Sequence, residues 1–326
     1  MKKLNFAFAG FRHGHIMALY TLAKTREDIA VVGAFEADGD AKAAAEKSGV
    51  VFPYDSLEAL LHDPAVDVVA IGDYFAARGG VALRALRAGK HVLCDKPLCV
   101  SMEEAETIRA EAAERGLTVG VMLDLRTNPN VVTALAAVKS GTVGKVNNIV
   151  FEGQHPLMFG SRPGWYFEKG KYGGVINDIA VHGIDLSRLF TGSEVKRVVG
   201  AREWNFYADL APDFKDSAQF IYEMETGAGV MGDVSYAAPT SQGYTHPSYW
   251  RYQVWGDKGM IEFSAVSDGV TAVLDGEEKP RRLADVKTER IWLDDFMNAV
   301  ETGNREYTED MLRTTIETLT VEAAAQ

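Results

Sequence analysis

The sequence predicts an α/β protein, with a doubly wound parallel sheet at the amino-terminal end and a mainly antiparallel α/β region after it. Three observations carry this. Up to residue 123, short apolar runs without helical period alternate with helical periodicities, the pattern of parallel strands joined by right-handed crossovers. Beyond Arg126 the apolar runs become β-rich and are separated by turn residues. A chain of 326 residues is long for one core, so two domains are expected, 1–123 and 124–326.

Leu4 to Ala9 reads as the first strand and ends at Gly10; Ile16, Leu19, Leu22 and Ala23 then give a helical face. Ile29 to Phe35 is a second strand closing at Glu36, and Asp38 can cap the helix that follows, which stops at Gly49. Ser56 opens a short helix over LEALL, Val66 to Ile71 is a strand, Val81 to Ala88 a helix, and His91 to Cys94 a strand. Ser101 with Glu104 forms a capping box for a helix that lines Ala105, Ile108 and Ala112 on one face and stops at Gly116. Leu117 to Leu123 closes the series.

In the second region Val131 to Val138 reads as a helix, followed by the β-rich runs VNNIVFEG, VKRVVGAREW, SAQFIYEMET, GVMGDVSY, YWRYQVWG and MIEFSA. Thr226-Gly227 and Asp257-Lys258-Gly259 supply turns between neighbours, so hairpins are expected. The chain is expected to end in a helix whose last residues, AAAQ, fray.

The composition, 47% hydrophobic and 25% charged, is that of an ordinary soluble globular protein. A formal charge of −12 with no basic run argues against nucleic acid and anionic membrane surfaces and favours a small-molecule partner. No apolar stretch reaches the roughly 18 residues that would span a bilayer. The amino-terminal apolar run is ended by Arg12 and His13 without a cleavage site, so it reads as a strand rather than a leader. Cys94 and Cys99 form neither a disulfide framework nor a metal spacing, which fits a reducing cytoplasm.

The polar residues that interrupt this apolar pattern fall at one place in the predicted sheet. Gly10 to His15, Glu36, the run Gly72 to Arg78, and Asp95 with Lys96 and Pro97 all follow carboxyl ends of strands, the edge where open parallel sheets bind ligands. The turn GFRHGH, with Gly10, Arg12, His13 and His15, is either an ordinary strand-to-helix turn or a phosphate site at a helix N-terminus. Glu36 is either a plain loop acid or the carboxylate that takes a ribose diol and repels an additional phosphate. Lys96 is either a solvated loop charge or a functional amine.

In the second region, Asp178, His182 and Asp185 are spaced i, i+4, i+7, which on a helix places them on one stripe amid Val175, Ile176, Ile179 and Leu186. They read as a histidine satisfied between two acids, as a catalytic set, or as a metal site short of ligands; no metal is expected. His155, Arg162, Trp165 and Tyr166 are candidates for the same cleft, with core packing the alternative for the aromatic ones.

The phrase HIMAL after the first turn, AGKHVLCDKPL, LRTNP with Arg126, and GGVINDIAVHGID from Gly173 resemble the motifs of the Gfo/Idh/MocA family of NAD(P)-dependent oxidoreductases, in the family's order. The resemblance implies a Rossmann domain, a second α/β domain, and NAD, with NADP not excluded, held between them. It implies that Lys96, Asp178 and His182 stand at the positions of the family's catalytic residues; Arg126, His155, Arg162, Trp165 and Tyr166 are the candidates to contact a sugar or polyol. It also implies a homodimer or homotetramer. Three departures are visible: Asp95 replaces the usual glutamate, Arg12 replaces a fingerprint glycine, and GDYFAAR puts Asp73, Tyr74 and Arg78 where a threonine–proline pair is usual. The activity implied is hydride transfer to or from a secondary alcohol or ketone. The rivals are a non-catalytic cofactor-binding regulator and a carbohydrate-binding module.

Overall fold

Five short apolar strands, β1 (Leu4–Ala9), β2 (Ile29–Phe35), β3 (Val68–Ile71), β4 (His91–Cys94) and β5 (Val119–Val121), pair in parallel in the order β2-β1-β3-β4-β5. Because both faces of such a sheet are covered by crossover helices, its strands need apolar side chains on every residue. β3 is buried throughout, and Phe6 and Phe8 of β1 are wholly inaccessible, each worth about 2 kcal/mol of burial. The computed structural model describes residues 3–326.

The crossovers are α1 (His15–Thr25), α2 (Gly39–Lys47), α3 (Leu57–His62), α4 (Phe75–Arg87) and α5 (Met102–Arg115). Asp38, Ser56 and Ser101 each accept the expected capping N–H, from Ala41, Ala59 and Glu104. One element differs from the sequence reading. The helix expected over Val81 to Ala88 starts six residues earlier, at Phe75, so half of the GDYFAAR run is helical. Gly79 and Gly80 weaken the helical signal, but Gly79 is required by packing: a Cβ there would lie 2.3 Å from the Glu104 carboxylate and 2.9 Å from Cys99 Cβ.

After a single 3₁₀ turn (Asp124–Thr127), α6 (Pro129–Lys139) leads to a second, eight-stranded sheet. Its strands are β6 (Val146–Pro156), β7 (Val195–Trp204), β8 (Ser217–Met224), β9 (Gly229–Ala238), β10 (Arg251–Gly256), β11 (Gly259–Ser264), β12 (Thr271–Leu274) and β13 (Arg281–Arg282), in the order β13-β12-β11-β10-β6-β9-β8-β7. Every pairing is antiparallel except β6 with β9. The two predicted hairpins form at Thr226-Gly227 and Asp257-Lys258-Gly259. β12, of four residues, and β13, of two arginines, are too short to have stood out in the sequence. A π turn (Ile176–Ala180) runs directly into α7 (Val181–Thr191). α8 (Trp292–Thr302) and α9 (Arg305–Ala324) complete the chain.

The chain divides into two compact units, but not as two consecutive segments. The first comprises Met1–Met122, Pro163–Gly173 and Leu293–Ile316; the second comprises Leu123–Arg162, Gly174–Trp292 and Glu317–Gln326. The crossing between residues 122 and 123 falls where the sequence changes character, whereas the two returning segments carry no signal of their own.

Candidate functional site

In the first unit the turn after β1 is drawn tightly against the turn after β3. Gly10 has φ +88°, and a Cβ there would lie 2.7 Å from the Asp73 nitrogen, so only glycine fits. Phe11 N–H donates to one oxygen of Glu36 at 2.5 Å and Asp38 N–H to the other at 2.8 Å. Glu36 is buried, and that burial pushes its carboxyl up against the pull of these two donors. Its two oxygens thus brace the turn, and the more exposed carboxylate at this edge is that of Asp38.

Arg12 sits among three acids. Its Nε lies 3.7 Å from Glu36 and 3.6 Å from Asp73, its Nη2 3.3 Å from Asp38, and its guanidinium lies over the Tyr74 ring at 5.2 Å. Burial pushes the Asp73 carboxyl up. The residues fit a dinucleotide. α1 begins at His15, after Gly14, with no side-chain cap and no acid in its first turn, which leaves a helix N-terminus open to an anion, and the Arg12 Nε is buried without a hydrogen-bond partner. Gly10, Arg12 and the start of α1 would hold the pyrophosphate, and the acids around Arg12 disfavour an additional phosphate.

At the end of β4 lie Asp95, Lys96 and Pro97, the last two joined by a cis peptide bond. Asp95 is fully buried and Lys96 is buried as well. Arg78, itself wholly inaccessible, reaches across from α4 and donates to the carbonyls of Asp95 (2.9 Å), Lys96 (2.6 Å) and Pro97 (3.1 Å), to the Asp73 carbonyl (2.8 Å), and to the Asp95 carboxylate (3.2 Å). This corrects the expectation that Arg78 belongs to a polar wall facing the cofactor. It is a buried clasp on the turn that carries Lys96, and guanidinium is the side chain with enough donors to fill that place.

His13 Nδ1 also bonds the Asp95 carboxylate, and His15 Nδ1 lies 3.4 Å from its other oxygen. Burial pushes His13 down to about 4, against the pull of Asp95, so the ring is neutral near neutrality and its Nδ1–H donates. Burial alone would raise Asp95, but His13, the Arg78 guanidinium and His15 together hold its carboxyl well below the ordinary range. The nitrogens and carboxylate of His13, His15 and Asp95 come within 4.8 Å of one another. With one carboxylate oxygen shared between His13 and Arg78, the cluster is an ion-paired hydrogen-bond network rather than an open metal centre.

Trp165 and Tyr166, expected near substrate, are core residues of this unit. Their rings stack at 4.1 Å, Trp165 meets Phe75 edge-on at 4.9 Å, and the indole N–H donates to the Arg12 carbonyl at 3.0 Å. Both are buried, in a segment that returns to the first unit.

The second unit carries Asp178, His182 and Asp185, all buried. They do not form the single α-helical stripe that their spacing suggests. Asp178 lies inside the π turn and the others in α7, and the wider winding shifts one against the next. Asp178 accepts from the Tyr236 hydroxyl at the end of β9. Asp185 takes a two-pronged ion pair from Arg126, with Nε at 2.8 Å, so Arg126 is tied to this helix. His182 has its Nε2 3.9 Å from Asp124 and meets the Trp250 indole edge-on at 5.1 Å.

His155 lies within an aromatic box of Tyr236, Tyr244, Tyr249 and Trp250, at 5.2 to 5.9 Å between ring centres. Arg162 lies over the Tyr236 ring at 4.4 Å and donates to the carbonyls of Leu157 and Pro156. Trp250 is held at φ +52°, in the left-handed region that a bulky side chain rarely adopts, while touching both histidines. Asp124, Tyr236, Tyr249 and Trp250 are absent from the sequence-derived set. The dense aromatic string PSYWRY was a visible sign of Tyr249 and Trp250, whereas Asp124 and Tyr236 had none.

A five-stranded doubly wound sheet with an open anion-binding turn, followed by an eight-stranded mixed sheet with a buried acid–imidazole helix, defines a two-unit nucleotide-dependent enzyme fold. Residues 4–123 match the model of the oxidoreductase family with an NAD-binding Rossmann fold, and residues 131–262 match that of the GFO/IDH/MocA C-terminal domain. The chain belongs to the Gfo/Idh/MocA family of NAD(P)-dependent oxidoreductases, and its first domain is the family's NAD-binding domain. Among curated relatives, D-xylose dehydrogenase of Paenarthrobacter nicotinovorans is 26% identical over 67% of this chain and 56% of its own length. Myo-inositol 2-dehydrogenase of Thermotoga maritima is 26% identical over 72% of this chain and 67% of its own. The sequence match thus spans little more than half of the first relative. A solved structure from Erwinia carotovora atroseptica SCRI1043 superimposes with a TM-score of 0.89 at 26% identity, covering 99% of both chains. Among the described residues no helix is long and apolar enough to cross a membrane.

Proposed function

We propose that this protein transfers a hydride between NAD and a secondary alcohol or ketone of a sugar or polyol. The observation that carries the reading is the burial of Asp178 and His182 in an apolar helix of a chain from this oxidoreductase family. Relatives named as xylose and inositol dehydrogenases support the substrate class.

His182 takes the hydroxyl proton at a ring nitrogen, a task suited to imidazole near neutrality. Asp178, anchored by Tyr236, stabilises the resulting imidazolium. Lys96, on a turn fixed by Arg78, stabilises negative charge on the substrate oxygen. Bound nicotinamide supplies the hydride acceptor. His155 and Arg162, with their aromatic neighbours, give the sugar a ring-stacking wall. The acids around Arg12 favour NAD over NADP.

We assign the protein to the reducing cytoplasm, where Cys94 and Cys99, which form no disulfide, remain thiols. We further propose that it works as a homo-oligomer through the open face of the second sheet. Ile221, Met231 and Trp255 are 44 to 48% exposed there, around shallow grooves.

The test is an NADH fluorescence titration followed by a screen of sugars and polyols at the nicotinamide absorbance. Binding with turnover is expected. Binding without turnover across a broad panel would make the protein a regulator, and failure to bind NADH would leave a carbohydrate-binding module.

A further inference from the structure

Two acids of the second unit, the buried Glu322 and the half-buried Glu203, bring their carboxyl groups together at the start of the segment that carries Asp178 and His182. Glu203, near the end of β7, accepts from Val175 N–H at 2.7 Å and from Ile176 N–H at 3.5 Å. Glu322, in the last turn of α9, accepts from Asn177 N–H at 3.2 Å. The two carboxyls lie side by side, with both Oε1 atoms within 2.8 Å of one point beside Gly174. Gly174 makes room for them: at φ +93°, a Cβ there would fall 2.1 Å from Glu322 Oε1 and 2.8 Å from Glu203 Oε1. Three successive backbone donors at the start of the π turn are therefore satisfied by two carboxyls from distant parts of the chain.

Two carboxylates cannot hydrogen-bond each other unless one carries a proton, because an ionised carboxyl only accepts. We propose that Glu203 and Glu322 share one proton and act as a positioning clasp, which sets the start of the Asp178–His182 segment and docks the end of α9 onto it. This rests on the assignment of Asp178 and His182 to the chemistry; neither glutamate touches a reacting atom.

The charged surroundings agree with a single retained proton. Burial pushes Glu322 up to about 9, with the neighbouring Glu203 carboxyl acting in the same direction, and burial raises Glu203 as well. The Lys215 ammonium, just before β8, bears on both carboxyls and lowers each. Nearby, Glu317 of α9 repeats the device on a smaller scale. Burial, with the neighbouring Glu194 carboxyl acting in the same direction, pushes it up to about 8, while Val195 N–H donates to it and Arg188 lies 3.5 Å away. Both raised carboxyls bind more protons folded than unfolded, so stability is full below the ordinary carboxyl range and declines as pH rises through the folded values.

The test compares wild type with E322Q, which keeps a donor to Glu203 but has no proton to lose, and with E317Q as the control for the second pair. Hydrogen exchange at residues 175–177, corrected for intrinsic base catalysis, reads the clasp without needing a substrate. Protection in the wild type and in E317Q should fall about tenfold from neutrality to one pH unit above the Glu322 transition and stay level in E322Q. The pH profile of kcat should show the matching alkaline loss in wild type and E317Q alone, with KM for NADH unmoved. If exchange in E322Q follows wild type, there is no clasp. If exchange separates the variants but kcat does not, the positioning role is overturned. E322A, which removes the donor, should lower kcat at every pH; should it fail to fold, E322Q still decides. If wild type turns over no alcohol or ketone, the functional assignment fails while the exchange result stands.

Discussion

The turn bearing Lys96 and the helix bearing Asp178 and His182 are held in opposite ways. At the turn, three carbonyl oxygens point inward, and a buried guanidinium supplies the donors. At the helix start, three N–H groups point inward, and two carboxyls supply the acceptors. In each place the polarity of the stranded backbone groups selects the residue type. The charge balance differs, however. Arg78 is matched by Asp95, whereas Glu203 faces another acid. The first arrangement should therefore be sensitive to acid and the second to alkali.

The largest break should come from R78M. It strands four carbonyls and leaves the Asp95 carboxylate without its guanidinium, so a loss of about 3–5 kcal/mol is expected in denaturant titrations. R78K should not restore it, since lysine has no planar fork with which to reach several carbonyls at once. Next comes K96M, which should slow turnover about a hundredfold or more while NADH affinity, read by fluorescence, is retained. Normal turnover in that variant would remove Lys96 from the chemistry and leave the first region purely structural.

On the helix side, G174A should destabilise the protein by about 2 kcal/mol, because a Cβ at a left-handed φ meets the Glu322 oxygen. An unchanged melting temperature would show that the carboxyls yield easily. A pH series sharpens the contrast. His13 falls from 6.5 to about 4, so the folded state binds fewer protons than the unfolded one in that window. Stability should be full above that range and fall as pH drops through it, with Asp95, held low, adding its own loss in still stronger acid. H13Q should flatten the upper part of this acid limb by on the order of 2 kcal/mol. The smallest effect is expected from M231K on the open sheet face. It should shift sedimentation toward monomer and leave the unfolding free energy of the protomer within about 0.5 kcal/mol of wild type.

Much of the fold could be read from local chemistry. The strand–helix alternation to residue 123, the caps at Asp38, Ser56 and Ser101, and the two hairpin turns each depend on neighbours within a few positions. The exceptions are instructive. Gly79 and Gly80 hid the first half of α4, and the reason for Gly79 is the approach of Glu104 on α5 rather than anything in its own segment. Glu36 was legible as an acid at the correct edge, yet its two oxygens are occupied by Phe11 and Asp38 amides. Trp165 and Tyr166 were legible as aromatic anchors, but their segment returns to the first unit.

By itself the sequence determined the two kinds of sheet, the family, and the candidates Lys96, Asp178 and His182, since periodicity and short motifs are properties of contiguous residues. Only the tertiary structure decided that Arg78 clasps the lysine turn, that the π turn breaks the i, i+4, i+7 stripe, and that Glu322 meets Glu203. Burial is what forces those choices. A stranded carbonyl or amide away from water must find a partner, and the partner here comes from 17 to 145 residues away, beyond the reach of any local pattern.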